Sequence, residues 1–209
     1  MFTTSNGYEA VWHLNETGTG TRYDETSNSW DGNTSAYDGD EAVAGIIGGA
    51  DSLGADDEYI ALGDIDISRD FTFSAWTKPT NINSGRTARI FQKAWSSGAD
   101  PWFTYQLVFG GDEVPGVGVA VSNTGYFAPN SSQSIVMDNW YYLTGSYDGD
   151  SLKMYVNGYN TTAHNALITA GSIESNNVLA RIGSNSLWNE EDFEGVIDEV
   201  RVSTVERSS

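Results

Sequence analysis

Apolar and polar residues alternate with a period of two along much of this chain, the pattern of strands with one buried face. The strongest run is Phe71-Thr72-Phe73-Ser74-Ala75-Trp76-Thr77-Lys78-Pro79, and Pro79, which cannot donate to a ladder, is expected to close it. Residues 8–14 predict a first strand with Tyr8, Ala10, Trp12 and Leu14 on one face. Residues 59–62, 88–93, 104–109, 116–121 and 178–183 predict further short strands, and residues 64–67 a turn and continuation of the first of these. Residues 140–147 and 151–156 flank Asp148-Gly149-Asp150, which predicts a hairpin, and Asn157-Gly158 supplies another tight turn. No stretch reads as a helix. Residues 15–54 carry Gly, Asn, Ser, Thr and Asp with little periodicity, which predicts a long irregular loop. Such loops are usually functional or pinned, and Asp24, Asn28, Asp31 and Asp38 are its obvious oxygen donors.

The closing stretch Phe193-Glu194-Gly195-Val196-Ile197-Asp198-Glu199-Val200-Arg201-Val202-Ser203 carries the candidate chemistry. As an unbroken strand it places Val196, Asp198, Val200 and Val202 on one face, with Ile197, Glu199 and Arg201 on the other. A carboxylate among buried valines needs a partner, because an isolated charge there is costly. Either Arg22 or Arg181 neutralises Asp198, or it caps backbone amides, or it binds a cation.

Many short strands joined by glycine turns leave a sandwich, a barrel or a propeller, and the lack of an internal repeat removes the propeller. At 209 residues with 39% hydrophobic and 12% aromatic content, one domain spanning 1–209 has ample material for a core. Without cysteine, thiolate metal sites and thiol nucleophiles are excluded. A formal charge of −19 repels phosphate backbones and anionic membranes, so neither nucleic-acid binding nor membrane insertion is expected. No apolar run reaches the roughly 20 residues of a spanning helix. The first residues do not read as a signal peptide, and a module of a larger exported protein is expected.

Four stretches in order, Val11-Trp12-His13-Leu14-Asn15-Glu16, then residues 71–79, 140–158 and 195–203, resemble the laminin-G-like, concanavalin A-like jelly-roll family. Gly45-Ile46-Ile47-Gly48-Gly49-Ala50 looks like a degraded form of its glycine-rich run. The resemblance implies an all-β, two-sheet antiparallel jelly-roll sandwich, commonly an accessory module of extracellular enzymes, adhesins or surface proteins. It also implies first and last strands near each other with a structural calcium beside them. Asp198 would then share a calcium site with Asp24 and Asn28 of the early loop.

Two ligand readings follow. Tryptophans 12, 76 and 140 fall in predicted strands and are expected in the core, whereas Trp30, Trp95, Trp102 and Trp188 fall in predicted loops. Trp95, Trp102 and Trp188, with Tyr126, are the expected platform for a polysaccharide or surface glycan; binding of a protein receptor is the alternative. Against this noncatalytic reading stands Glu190-Glu191-Asp192-Phe193-Glu194, where Glu190, Asp192 and Glu194 match the Glu-x-Asp-x-Glu spacing of jelly-roll glucanases. Glu191 breaks the apolar interleaving of that motif, and a solvated acidic loop is the better reading of the run.

Overall fold

The alternating runs fold into two stacked antiparallel sheets in a computed structural model. It describes residues 2–54, 57–82, 86–95, 101–122, 124–128, 131–163, 168, 171–187 and 191–207, with the side chains of 125–128 outside the description. Among these residues the strands in the first half are β1 (Tyr8–Trp12), β2 (Thr21–Arg22), β3 (Gly32–Ser35), β4 (Ala42–Ala44), β5 (Gly49–Leu53), β6 (Tyr59–Ala61), β7 (Phe71–Asn81) and β8 (Ala88–Ala94). Then follow β9 (Phe103–Phe109), β10 (Pro115–Val121), β11 (Thr124–Ala128), β12 (Tyr141–Tyr147), β13 (Leu152–Val156), β14 (Tyr159–Asn160), β15 (Arg181–Ile182) and β16 (Glu194–Ser203). One sheet runs β14-β13-β12-β7-β16-β5-β4 with β1 also beside β16; the other runs β11-β10-β9-β8-β15-β6-β3-β2. A short 3-10 turn, Thr4–Asn6, precedes β1, and no helix among the described residues is long and apolar enough to cross a membrane.

The layers meet through the buried face that the period-2 pattern marks. Phe73 on β7 lies 5.1 Å from Phe91 and 5.2 Å from Tyr105 across the sandwich, ring centre to ring centre, and Trp12 lies 6.3 Å from Phe91. Offset and edge-on aromatic pairs of this kind add to the area they bury. The hairpin β12–β13 forms at the expected place, with Asp148 accepting the N–H groups of Asp150 and Ser151 across the turn.

Several expectations are corrected. Residues 15–54 are not one irregular loop: they contain β2 to β5, which extend both sheets and are too short to show alternation. Residues 64–67 form no strand, and the expected strand 178–183 reduces to β15. Pro79 does not close β7, which runs on to Asn81; Pro79 sits opposite Gly195 and needs to give only its carbonyl, which accepts the N–H of Asp138. Trp76 is half-buried on the outer face, 5.1 Å from the Tyr142 ring, not in the core. A register shift between Tyr8 and Ala10 turns Tyr8 to the outer face, while Ala10, Trp12 and Leu14 point inward.

Candidate functional site

Strand β16 has β7 along one edge for its whole length, but its other edge changes partner. Gly195 to Ile197 pair with β5, and Val200 to Ser203 pair with β1. Asp198 and Glu199 occupy the changeover. There the register against β7 also shifts, and Glu199 takes φ 55, a left-handed conformation rare for such a residue. The bulge reverses the faces on either side of it. Ile197, Val200 and Val202 all reach the core, whereas Asp198, opposite Trp76, lies on the outer face. The expected shared face of Asp198 with Val200 and Val202 is therefore corrected, because an unbroken period of two does not hold through the bulge.

Asp198 is nevertheless fully buried, because the turn 45–48 folds over it. Its Oδ2 accepts N–H groups from Ile46 (2.7 Å) and Ile47 (3.0 Å). A side chain on Gly45 would stand 2.5 Å from that same oxygen, so glycine is what lets the turn close on the carboxylate. Oδ1 is buried with no hydrogen-bond partner among the described residues. Burial pushes the carboxyl upward, and the two loop N–H groups oppose it. Next to it, Glu199 accepts from Arg201 Nη2 (2.6 Å) and meets His13 Nδ1 (2.5 Å).

The other expected metal ligands stand elsewhere. Both oxygens of Asp24 are occupied, Oδ1 by the N–H groups of Val11 and Thr26, Oδ2 by the Thr26 hydroxyl and the Trp30 N–H. Asn28 donates its amide to the Glu9 carbonyl at 3.0 Å. No hydrogen bond among the described residues joins either to Asp198. Arg22 is fully buried against Asp51 as a fork of 2.7 and 2.9 Å, with the Tyr37 hydroxyl donating to Asp51 at 3.1 Å. Arg181 covers the Tyr59 ring at 3.9 Å. Asp38, Asp40 and Glu41 offer oxygens within 4.8 Å of one another, although Glu41 already takes the N–H groups of Asp38 and Gly39.

Two of the aromatic candidates, Trp95 and Trp102, meet at one hairpin end. The N–H of Trp95 donates to the Trp102 carbonyl at 3.2 Å, closing the segment between β8 and β9. Trp102 has φ 65 and is 51% exposed; Trp95 is half-buried. Ser186 Oγ accepts the Ala94 N–H, and Asn176 Nδ2 donates to the Ala94 carbonyl and the Thr104 hydroxyl, which fixes this end. The main chain of Tyr126 lies in β11 opposite Val119, with its side chain outside the described residues; Trp188 and Glu190 lie wholly outside them. In the acidic run, Glu191 has φ 61 and pairs with Arg89 at 2.6 Å. Asp192 is pushed up by burial, and Glu194, the first residue of β16, accepts from Asn81 at 2.9 Å. Asp192 thus precedes the strand that Glu194 opens. Sequence reasoning missed the pairing of turn 45–48 with Asp198; its one signal was two apolar residues set between glycines, Ile46 and Ile47, which are 43% and 51% exposed.

Among solved structures, domain 4 of AbnA, a GH43 extracellular arabinanase from Geobacillus stearothermophilus in complex with arabinotriose, has a TM-score of 0.71 at 21% identity, covering 94% of this chain and 91% of that one. Trypanosoma rangeli sialidase matches with a TM-score of 0.64 at 10% identity over 97% of this chain and 31% of its own. The binding domain of botulinum neurotoxin serotype D matches with 0.64 at 12% identity, over 97% and 49% respectively. This chain therefore spans about a third of the sialidase and half of the neurotoxin domain, and these likenesses show the fold. No curated protein sequence matches. The family model described as the concanavalin A-like lectin/glucanases superfamily matches residues 53–209, which include β6 to β16 and the bulged closing strand, and the chain belongs to that superfamily.

Proposed function

We propose that this chain is a noncatalytic carbohydrate-binding or adhesion module of an exported or cell-surface protein, held by a structural calcium ion. The observation that carries the reading is Trp102: a large ring left half exposed on a left-handed backbone, at a hairpin end that Ser186 and Asn176 pin in place. Backbone strain retained at an anchored aromatic is typical of ligand sites, and a flat ring presented this way suits the apolar face of a sugar. The likeness to a single domain of an extracellular arabinanase supports a module of a larger exported protein. Against catalysis, Glu191 is tied to Arg89, and Asp192 stands outside the strand that Glu194 opens.

We assign the calcium to Asp198 rather than to Asp24. Asp24 already satisfies four donors, whereas Asp198 keeps one buried oxygen without a partner. Glu16 Oε2 is a second buried orphan, and its neighbour Asn15 packs on Gly49 at the end of the turn that covers Asp198. Calcium takes roughly six to eight oxygens, which carboxylates and turn carbonyls supply.

A polysaccharide array tests the glycan reading. Wild type is expected to bind at least one neutral polysaccharide, and Trp102→Ala to weaken it about tenfold or more without lowering Tm. Absence of binding with or without calcium would favour a spacer or protein-adhesion domain. Release of reducing sugar by wild type, lost in Glu190→Gln or Glu194→Gln, would establish the hydrolase.

A further inference from the structure

The outer face of the first sheet carries a pocket of about 120 Å³ that lies apart from the hairpin end bearing Trp102. Thr72 and Ser74 of β7, Thr144 of β12 and Ser203 of β16 line it with hydroxyls, and Tyr8 and Tyr142 add aromatic walls. Two guanidinium groups, Arg201 and Arg207, complete it, and no acidic side chain lines it among the described residues. On a chain of net charge −19 with ten Lys and Arg in all, two arginines converging on one small pocket need a reason.

Both are held in place before any ligand arrives. Arg207 lies over the Tyr8 ring at 4.2 Å; its Nε donates to Ser203 Oγ at 2.9 Å, its Nη2 to the Asn6 carbonyl, and its backbone N–H to Thr72 Oγ1 at 2.8 Å. Arg201 lies over the Phe2 ring at 4.9 Å and gives Nη2 to Glu199. Its Nε is buried and has no hydrogen-bond partner among the described residues. A buried charged donor without an acceptor is rare in native proteins, and this one leaves the Arg201 guanidinium with donor capacity unused. Among the described residues Glu199 is the one carboxylate bonded to either guanidinium, so their pocket keeps an excess of positive charge. Fixed guanidinium forks match carboxylates.

We infer that this pocket binds the carboxylate of an acidic saccharide, a hexuronate unit, with the sugar hydroxyls meeting the Thr and Ser side chains. The small volume admits one charged unit rather than a large ligand. The surrounding negative charge selects against densely charged polymers, because beyond the pocket each further anionic group meets repulsion. The site is separate from the Trp102 platform, so it stands or falls independently of neutral-glycan binding there.

The test is calorimetric titration of the full chain with galacturonate and digalacturonate, with galactose and acetate as controls. Galacturonate is expected to bind at least about tenfold more tightly than galactose, the worth of one hydrogen bond to a charged group. Arg201→Gln should remove that preference, and Trp102→Ala should leave it unchanged. If Arg201→Gln fails to fold, Ser74→Leu, which fills the pocket and leaves both arginines in place, should abolish uronate binding. Equal affinity for galacturonate and galactose, no uronate binding by wild type, or full binding by a folded Arg201→Gln protein would each overturn the assignment. Binding of acetate as tight as that of galacturonate would show a carboxylate site without sugar recognition and would overturn it as well.

Discussion

Replacing Asp198 separates the clamp on turn 45–48 from the calcium role proposed for the same carboxylate. Oδ2 holds turn 45–48 by two N–H groups, and Oδ1 is the oxygen assigned to calcium. Asp198→Ala removes both. Leaving the Ile46 and Ile47 N–H groups without their acceptor costs about 1–3 kcal/mol each. In a domain of this size each kcal/mol moves Tm by about 2–4 °C, so a fall of roughly 5–20 °C is expected. Asp198→Asn is the sharper variant. An amide oxygen can still accept both turn N–H groups, but the amide nitrogen that replaces Oδ1 cannot ligate a cation.

The assay is a thermal melt of wild type and both variants, in excess calcium and in excess chelator. An ion at about a hundred times its Kd stabilises by about 2.7 kcal/mol, so chelation should lower the wild-type Tm by roughly 5–10 °C. Asp198→Asn should melt at one temperature under both conditions. Asp198→Ala should lie lower still and also ignore the chelator. A wild-type Tm that does not move on chelation refutes the calcium assignment. A chelation shift that survives in Asp198→Asn puts the ion elsewhere, with Asp38, Asp40 and Glu41 the next place to look. An Asp198→Ala protein that melts with chelated wild type refutes the clamp.

The buried Arg22–Asp51 pair gives a second test: Arg22→Met alone strands the Asp51 carboxylate and should cost about 3–5 kcal/mol, whereas adding Asp51→Leu should recover most of the loss in chemical denaturation. At the β12–β13 turn, burial raises the Asp148 carboxyl but is outweighed by Lys153, the N–H groups of Asp150 and Ser151 and the Ser151 hydroxyl, which hold it well below the carboxylate range. A depressed folded-state carboxyl contributes stability above its unfolded value near about 4 and loses it as pH falls, so the Tm gap between wild type and Asp148→Asn should close on acidification below about pH 4. A gap that stays constant from pH 7 to pH 2 would show that Asp148 contributes through shape alone.

Long strands were legible because their signal is local. Thr72, Ser74 and Trp76 alternate with Phe71, Phe73 and Ala75, and β7 forms on that pattern. What could not be read depends on partners far away in sequence. Strands β2 to β5 have two to five residues each, and only their places beside β3, β6, β4 and β16 make them strands. The bulge at Glu199 leaves no glycine or asparagine to announce it, so the side to which Asp198 points was not recoverable from period two. Of the three alternatives for Asp198, backbone capping was on the list, but nothing in the sequence named Ile46 and Ile47 as the donors. The Arg201–Arg207 pocket was invisible for the same reason: Tyr8 reaches it only because a second bulge turns that residue outward.

The two bulges also explain why a carboxylate stands where β16 changes partners. β5 and β1 share the same edge of β16, and between them Asp198 and Glu199 have no ladder partner on that side. The turn leading into β5 crosses this gap and brings unpaired N–H groups that must find an acceptor. A neutral side chain would accept weakly, and a larger residue than Gly45 would hold the turn off. On the opposite edge, Gly195 takes φ 144 and packs against the Lys78 carbonyl and Pro79 Cα, where no other residue fits. Asp198, Gly45 and Gly195 therefore fix how the closing strand is seated. Neither the Trp102 hairpin end nor the arginine pocket draws its ligand-facing groups from these three residues. Substitution of Trp102 should change what is bound while leaving the melt of the fold intact, and substitution of Asp198, Gly45 or Gly195 should do the reverse.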